Sequence, residues 1–165
     1  MKRIQAMAMA LACTALSATV AHAAGIERTK GSPTSPIAST AKVPAGSTLF
    51  FLSGSTASPI NPADLESPDA FGDTATQTKS ILTKMKAQLE AMGLGMGDIV
   101  KMNVFLVGDA KLGGKMDRDG MNAVFKTFFG TPEQPNLPTR STVQVAALGR
   151  PNMLVEIEGI AAKAP

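Results

Sequence analysis

Two alternating segments near the C-terminus decide the fold: residues 140–147 read RSTVQVAA and residues 153–160 read MLVEIEGI. Side chains of a β-strand point alternately to the two faces of a sheet, so both segments predict strands. The residues between them, 148–152, read LGRPN and are typical of a turn. This turn predicts that the two strands pair with each other as a hairpin.

The rest of the chain predicts further strands at residues 37–42, 48–52 and 98–107. Asp73 is a candidate N-cap for a helix that ends near Gly93. Apolar residues at helical spacing mark one face of each of two helices: Ile81, Met85, Leu89 and Met92 in the first, and Met121, Val124, Phe125, Phe128 and Phe129 in the second. This order predicts one α+β domain, a mixed sheet with two helices packed on one face.

Three segments lack both helical and strand periodicity. Residues 24–36 are rich in Ser, Thr, Gly and Pro and predict a loose, flexible arm. Residues 55–71 contain three Pro and predict a surface loop. Residues 108–120 are rich in Gly and charge and predict a long connection before the second helix.

The N-terminus has the layout of a secretory signal peptide. Two basic residues precede an uncharged apolar run over residues 4–20, which closes on the small-residue site Ala21-His22-Ala23. As a membrane anchor the run is marginal, because a spanning helix needs about 20 apolar residues. The sequence before Cys13 is a poor match to a lipid-anchor motif. We therefore expect a signal peptide at residues 1–23 and a periplasmic or secreted protein.

Removal of the predicted signal changes the available chemistry. It leaves 142 of the 165 residues, enough for one domain with a core, and takes away the only cysteine, Cys13, and the only histidine, His22. The remaining chain cannot form a disulfide, a Ser-His or Cys nucleophile system, or a zinc site built from His or Cys. Only Asp, Glu, Lys and water are left for proton transfer, with Arg as a fixed cation. No metal is expected.

The charge of the mature domain is close to balanced. Of 16 basic residues, Lys2 and Arg3 belong to the signal, which leaves 14 against 13 acidic residues and a net charge of +1. A protein that binds nucleic acid usually presents a basic stripe with stacking aromatic side chains. We expect no nucleic-acid partner, and no membrane partner after signal cleavage.

Arg140 and two acidic residues, Glu156 and Glu158, are the candidate site residues of the predicted hairpin. On pattern alone, a cross-strand ion pair at the surface is the simplest interpretation, and such pairs contribute little stability. Alternatively, the two charges interrupt an apolar strand because they face a cleft, since an unpaired charge is costly to bury. A sheet covered by helices on one face only also favours self-association, with the cleft between protomers.

The motifs of this chain, from about residue 37 to residue 161, resemble those of the RidA/YjgF family and occur in the same order. They are Ser53-Gly54, Gly72-Asp73, residues 97–101 (GDIVK), 121–125 (MNAVF), 138–146 (PTRSTVQVA) and 155–161 (VEIEGIA). The resemblance implies the chorismate-mutase-like fold of that family in residues 37–161, a homotrimer with clefts between subunits, and no cofactor. Deaminating members hydrolyse reactive 2-imino or 2-enamino acids to 2-keto acids and ammonia.

The resemblance also implies roles for individual residues. Arg140 matches the arginine that holds the substrate carboxylate, and Glu156 matches the acid that positions water. Gly54 and Thr142 match positions that contact substrate through the main chain, and Asn122 matches a pocket-lining residue. Other positions depart from the family pattern: Ile37 replaces a pocket tyrosine, Thr142 replaces a frequent cysteine, Ser55 replaces a frequent glutamine, and residues 108–120 are longer than usual.

Three functions follow as hypotheses. The first is a periplasmic deaminase of imino acids that uses Arg140 and Glu156. The alternative is a non-catalytic trimeric module that binds small carboxylates or a protein partner, suggested by the altered pocket. Ribonuclease activity, a third possibility in this family, is disfavoured by the absence of histidine and the small net charge.

Overall fold

The computed structural model describes residues 25–165, and the predicted signal at residues 1–23 lies outside the described residues. Seven strands and two α-helices follow each other in the order β1 β2 β3 α1 β4 β5 α2 β6 β7. Their bounds are β1 Glu27–Lys30, β2 Ala38–Lys42, β3 Thr48–Thr56, α1 Thr74–Ala91, β4 Ile99–Asp109, β5 Lys115–Met116, α2 Arg118–Phe125, β6 Thr139–Val145 and β7 Val155–Lys163. Short 3₁₀ turns precede and follow β4.

Six strands form the main sheet in the order β1-β2-β6-β4-β7-β3, and β5 adds to the end of β4. The β2–β6 and β4–β6 pairs are parallel and the others antiparallel, so the sheet is mixed. The structure confirms one α+β domain whose two helices cover one face. None of the helices in residues 25–165 is long and apolar enough to cross a membrane.

The predicted C-terminal hairpin is wrong, because β4 lies between β6 and β7. β4 pairs with β6 on one side and with β7 on the other. β4 is the buried centre of the sheet: Met102, Val104 and Leu106 are completely buried, and its backbone N–H and C=O groups find partners on both edges. Residues 146–154 therefore cross the end of β4 instead of forming a tight turn.

The prediction of a loose arm at residues 24–36 is wrong for Glu27–Lys30, which forms β1. This strand pairs antiparallel with β2, and Arg28 Nη2 donates a hydrogen bond to Gly97 O at 2.8 Å. Backbone pairing and one arginine anchor hold the strand. Because its side chains are mostly exposed, the strand carries no apolar pattern that the sequence could reveal.

The first helix begins and ends as predicted. Asp73 accepts a hydrogen bond from Thr76 N at 2.8 Å, and Gly93 has a φ of +69°. Ile81, Met85 and Leu89 are buried as expected, whereas the remaining member of the predicted face, Met92, is 39% exposed because it lies at the C-cap, beyond the last turn that packs on the sheet.

The second helix begins earlier than its apolar pattern indicated. Asp117 caps it through a 2.8 Å hydrogen bond from Gly120 N, so that the helix starts at Arg118. It ends at Phe125, and the predicted helical residues Phe128 and Phe129 lie in the following turns. Phe129 still packs in the core and stacks on Phe125, with 4.5 Å between ring centroids.

Gln77 connects the start of α1 to the start of β7. Its side chain is completely buried, and Nε2 donates to Gly72 O at 2.9 Å and to Asn152 O at 3.0 Å. Its Oε1 accepts from Leu154 N at 2.8 Å. One side chain therefore satisfies three backbone groups at the point where the chain enters β7.

Replacing Gln77 with leucine should lower the free energy of unfolding by about 2–4 kcal/mol, because three buried backbone groups lose their partner. Urea denaturation measures this change. Gln88→Leu on the exposed face of the same helix is the matched control and should change stability by less than about 0.5 kcal/mol. Equal effects of the two substitutions would contradict this role.

Candidate functional site

Arg140 lies on β6 and points toward α2. Its Nη2 donates to Asn122 Oδ1 at 2.7 Å, its Nη1 lies 3.6 Å from Met121 Sδ, and its guanidinium carbon lies 4.3 Å from the centroid of the Phe125 ring. One side of α2 carries Met121, Asn122 and Phe125. The first two residues are adjacent, and Phe125 follows them by about one helical turn. The helix therefore fixes the plane and position of the guanidinium.

Only neutral side chains contact the charged guanidinium of Arg140. No salt bridge among residues 25–165 involves Arg140, and its Nε is buried without a hydrogen-bond partner. Burial, with a smaller contribution from nearby Arg118, lowers the pKa of Arg140 to about 10. The side chain thus keeps its charge at neutral pH while lacking a counterion, which is an arrangement suited to binding an anion.

Glu156 lies on β7 beside a bulge in β3. The register of the β3–β7 pair shifts between Leu52 and Ser55, so that Ser53 and Gly54 form the irregular segment. A Cβ atom at Gly54 would overlap with Glu156 Oε1. The absence of a side chain at Gly54 therefore lets the carboxylate lie directly against the main chain of the bulge.

Arg140 and Glu156 lie on opposite faces of the sheet. Directly paired residues share a face: Arg140 pairs with Met102 of β4, and Glu156 pairs with Phe105. Met102 and Phe105 are three positions apart on one strand, so their side chains point to opposite faces. The predicted surface ion pair between Arg140 and Glu156 is therefore wrong, and one copy of the chain does not bring both residues to one ligand.

The remaining predicted site residues divide between these two groups. Thr142 shares the face of Arg140, and its Oγ1 is buried without a partner. Ile37 precedes β2, whose Ala38 pairs with Thr139 next to Arg140. The side chain of Ile37 packs against the core, and its main-chain hydrogen bonds are made with Ser35. Asn122, Thr142 and Arg140 thus form one half-site, and Gly54 with Glu156 forms the other.

Sequence reasoning missed the aromatic and thioether contacts of Arg140. Phe125 and Met121 were interpreted only as core residues of the second helix. Phe125 follows Asn122 by three residues and Met121 by four, and this spacing is the signal that places it beside both of them, around the guanidinium of Arg140. Within residues 25–165, no group of three or more Asp, Glu, His or Cys residues is arranged to hold a metal ion.

The face of the sheet that the helices leave uncovered carries apolar side chains. Phe51 is 75% exposed and Val143 is 45% exposed. A cavity of about 250 Å³ on this face is lined in part by Lys101, Asn103 and Glu158, where Asn103 Nδ2 donates to Glu158 Oε1 at 2.8 Å. Exposed aromatic and branched side chains on one face of a sheet are typical of an interaction surface.

Comparison with known proteins assigns the chain to a family. The family model described as Endoribonuclease L-PSP matches residues 35–163, which span nearly all of the described fold. The chain therefore belongs to this family, the RidA/YjgF family whose motifs it carries.

Individual relatives have related names. The chain is 40% identical over 105 residues to the 2-iminobutanoate/2-iminopropanoate deaminase of Escherichia coli K12, an alignment that covers 64% of this chain and 73% of the relative. It is 39% identical over 105 residues to a RutC family protein of Haemophilus influenzae, with the same coverage. The crystal structure of E. coli TdcF with bound serine superposes with a TM-score of 0.53 at 38% identity, covering 73% of this chain and 84% of TdcF. The deaminase names of such relatives support a deaminase-type role in general.

Arg140 should be required for binding of a small carboxylate such as 2-oxobutanoate. Arg140→Ala should abolish measurable binding in isothermal titration calorimetry, and Arg140→Lys should weaken it by roughly tenfold, since an ammonium lacks the bidentate geometry. Because the pKa of Arg140 lies near 10, affinity should be constant from pH 6 to 9 and fall only as the pH rises toward that value.

The matched control is Arg150→Ala, which removes an arginine that pairs with Glu66 in exposed loops and should leave binding unchanged. Unaltered affinity in Arg140→Ala, or a titration of binding with a midpoint near neutral pH, would show that Arg140 is not the anion site.

Proposed function

We propose that the protein hydrolyses reactive 2-imino and 2-enamino acids to 2-keto acids and ammonia, in clefts formed between copies of the chain. The observation that carries the proposal is the pair of half-sites on opposite faces of the sheet. One holds a cation without a counterion, Arg140, and the other holds a carboxylate against a glycine, Glu156. The deaminase names of relatives and the serine bound to TdcF support an amino-acid-derived ligand.

A closed ring of copies joins the two half-sites. In a cyclic homotrimer, each copy contacts its two neighbours through two different parts of its surface, which creates three equivalent clefts. Exposed Phe51 and Val143 supply apolar surface for this contact. The assembly then places Arg140 of one copy opposite Glu156 of another.

The reaction requires the protein to orient the substrate and to place a water molecule. Arg140 holds the substrate carboxylate, with the main chain at Thr142 and Gly54 fixing its orientation. Glu156 accepts a hydrogen bond from a water molecule and aims its oxygen at the imine carbon, which is already electrophilic. The oxygen adds to the carbon, the carbon–nitrogen bond breaks, and nitrogen leaves as ammonia, so that imino acid and water give keto acid and ammonia. A 2-enamino acid first moves a proton from nitrogen to carbon to become the imine.

A second candidate function follows from the first half-site alone. Arg140, Asn122 and Thr142 come together within one copy, and this half-site is sufficient to bind a carboxylate without turnover. Such a trimeric module would bind small carboxylates or the acidic end of a protein partner. Ribonuclease activity fits less well: residues 25–165 contain no histidine to act as a proton carrier. The signal-like N-terminus motivates a periplasmic or secreted location as part of the proposal.

Removal of either half-site should abolish catalysis. Arg140→Ala should lower kcat/KM for 2-iminobutanoate by at least about 100-fold through lost orientation, and Glu156→Gln by about 100-fold or more through lost water activation. The measurement is keto-acid release above the spontaneous rate from an enzymatically generated imine.

Glu133→Gln, in an exposed loop, is the matched control for Glu156→Gln and should retain wild-type activity. Rates of the Arg140→Ala variant equal to those of the wild type would contradict the deaminase proposal. Arg140-dependent binding of keto acids by a wild-type protein that accelerates no imine hydrolysis would favour the binding module instead.

A further inference from the structure

Arg118 lies on the same face of α2 as the residues that surround Arg140. It is the first residue of the helix, and it precedes Met121, Asn122 and Phe125 by three, four and seven positions. This spacing defines a single helical face. Because all three of those residues contact Arg140, Arg118 extends the same wall by one turn toward the helix N-terminus.

The position of this turn is fixed by Gln144 on β6. Its Oε1 accepts from Met116 N at 2.9 Å, and its Nε2 donates to Gly114 O at 2.9 Å. The segment that leads into α2 is thereby held at the level of Gln144, while Asn122 is held at the level of Arg140. Arg118 begins α2 between these two levels. Thr142 has the same intermediate position on β6, because it lies between Gln144 and Arg140 on one face of that strand.

Two unsatisfied polar atoms lie in this part of the fold. The Oγ1 of Thr142 and the Nε of Arg140 are both buried and have no hydrogen-bond partner among the described residues. Buried polar groups in folded proteins are normally paired, so a ligand bound here would supply partners that the chain itself does not. Both atoms lie on the face of β6 that is directed toward α2.

The charges around Arg118 leave it available to an anion. No salt bridge within residues 25–165 involves Arg118, and the neighbouring Asp117 is engaged by Gly120 N as the helix cap. Asp119 is exposed on the following position of the helix. The charge of Arg118 reaches Arg140, where it contributes to the lowered pKa of that guanidinium. Neither Arg118 nor Arg140 is paired with a carboxylate of residues 25–165.

We infer that Arg118 binds a second carboxylate, so that the preferred substrates are 2-imino acids with an acidic side chain. The inference rests on the proposed function and specifies its substrate class. Arg140 binds the carboxylate next to the imine, and Arg118 binds the carboxylate at the end of the side chain. Arg118 precedes Asn122, the hydrogen-bond partner of Arg140, by about one helical turn, roughly 5.4 Å along the axis, a span of the order covered by a four- or five-carbon dicarboxylate.

The first test compares hydrolysis of 2-iminoglutarate and 2-iminobutanoate by the wild type and by Arg118→Gln. The wild type should prefer the acidic imine, and the substitution should reduce the ratio of the two kcat/KM values about tenfold, since one charge-assisted hydrogen bond is lost. Lys126→Gln removes a positive charge from the other end of the same helix and should leave the ratio unchanged. An equal ratio in the wild type and Arg118→Gln, or a wild-type preference for the neutral imine, overturns the inference.

The second test measures binding without turnover. The wild type should bind 2-oxoglutarate more tightly than 2-oxobutanoate in titration calorimetry, and Arg118→Gln should lose most of this preference. This measurement separates the two proposals: absence of imine hydrolysis refutes the deaminase proposal, whereas the binding preference still decides the role of Arg118. Similar affinities of the wild type for both keto acids overturn the inference.

Discussion

The position of β4 between β6 and β7 is the constraint on which the rest of the structure depends. β4 pairs with a strand on each of its edges, and this separates the strand of Arg140 from the strand of Glu156. Strand alternation then directs the two side chains to opposite faces of the sheet. A pair of residues that looks adjacent in the sequence of the C-terminal strands is therefore not brought to one ligand by a single copy, and in the proposed function a second copy completes the site.

The half-site of Arg140 shows how the fold tolerates a partly buried cation. The guanidinium lies on the ring of Phe125 and donates to Asn122, and both residues come from a helix whose start is fixed by the cap at Asp117. These neutral contacts offset part of the desolvation of the charge without supplying a counterion. Unsatisfied charge of this kind is a cost to stability that is typical of functional sites.

Features decided by local chemistry could be predicted from the sequence. The cap at Asp73, the glycine stop at Gly93 and the alternation of β4 and β7 all follow from interactions within a few residues. Pairing partners could not be predicted in this way, because alternation specifies which side chains share a face but not which strand lies alongside. The hairpin error has this origin, and β1 was missed because backbone pairing leaves no mark on side-chain pattern.

The residues of the candidate site stay a prediction from the family motifs, and their arrangement could not be predicted from the sequence. Family motifs identified Arg140, Glu156, Gly54, Asn122 and Thr142, and the structure groups them into two half-sites. The contacts of Arg140 with Phe125 and Met121 were hidden by the ordinary role of such residues as core.

The most direct test of this account is a mixing experiment with two inactive variants, Arg140→Ala and Glu156→Gln. Unfolded together in equal amounts and reassembled, they should recover about a quarter of the wild-type activity, because each cleft draws its arginine from one copy and its glutamate from another independently. Each variant reassembled alone should remain inactive. Mixed oligomers that show no recovered activity would contradict a site shared between copies.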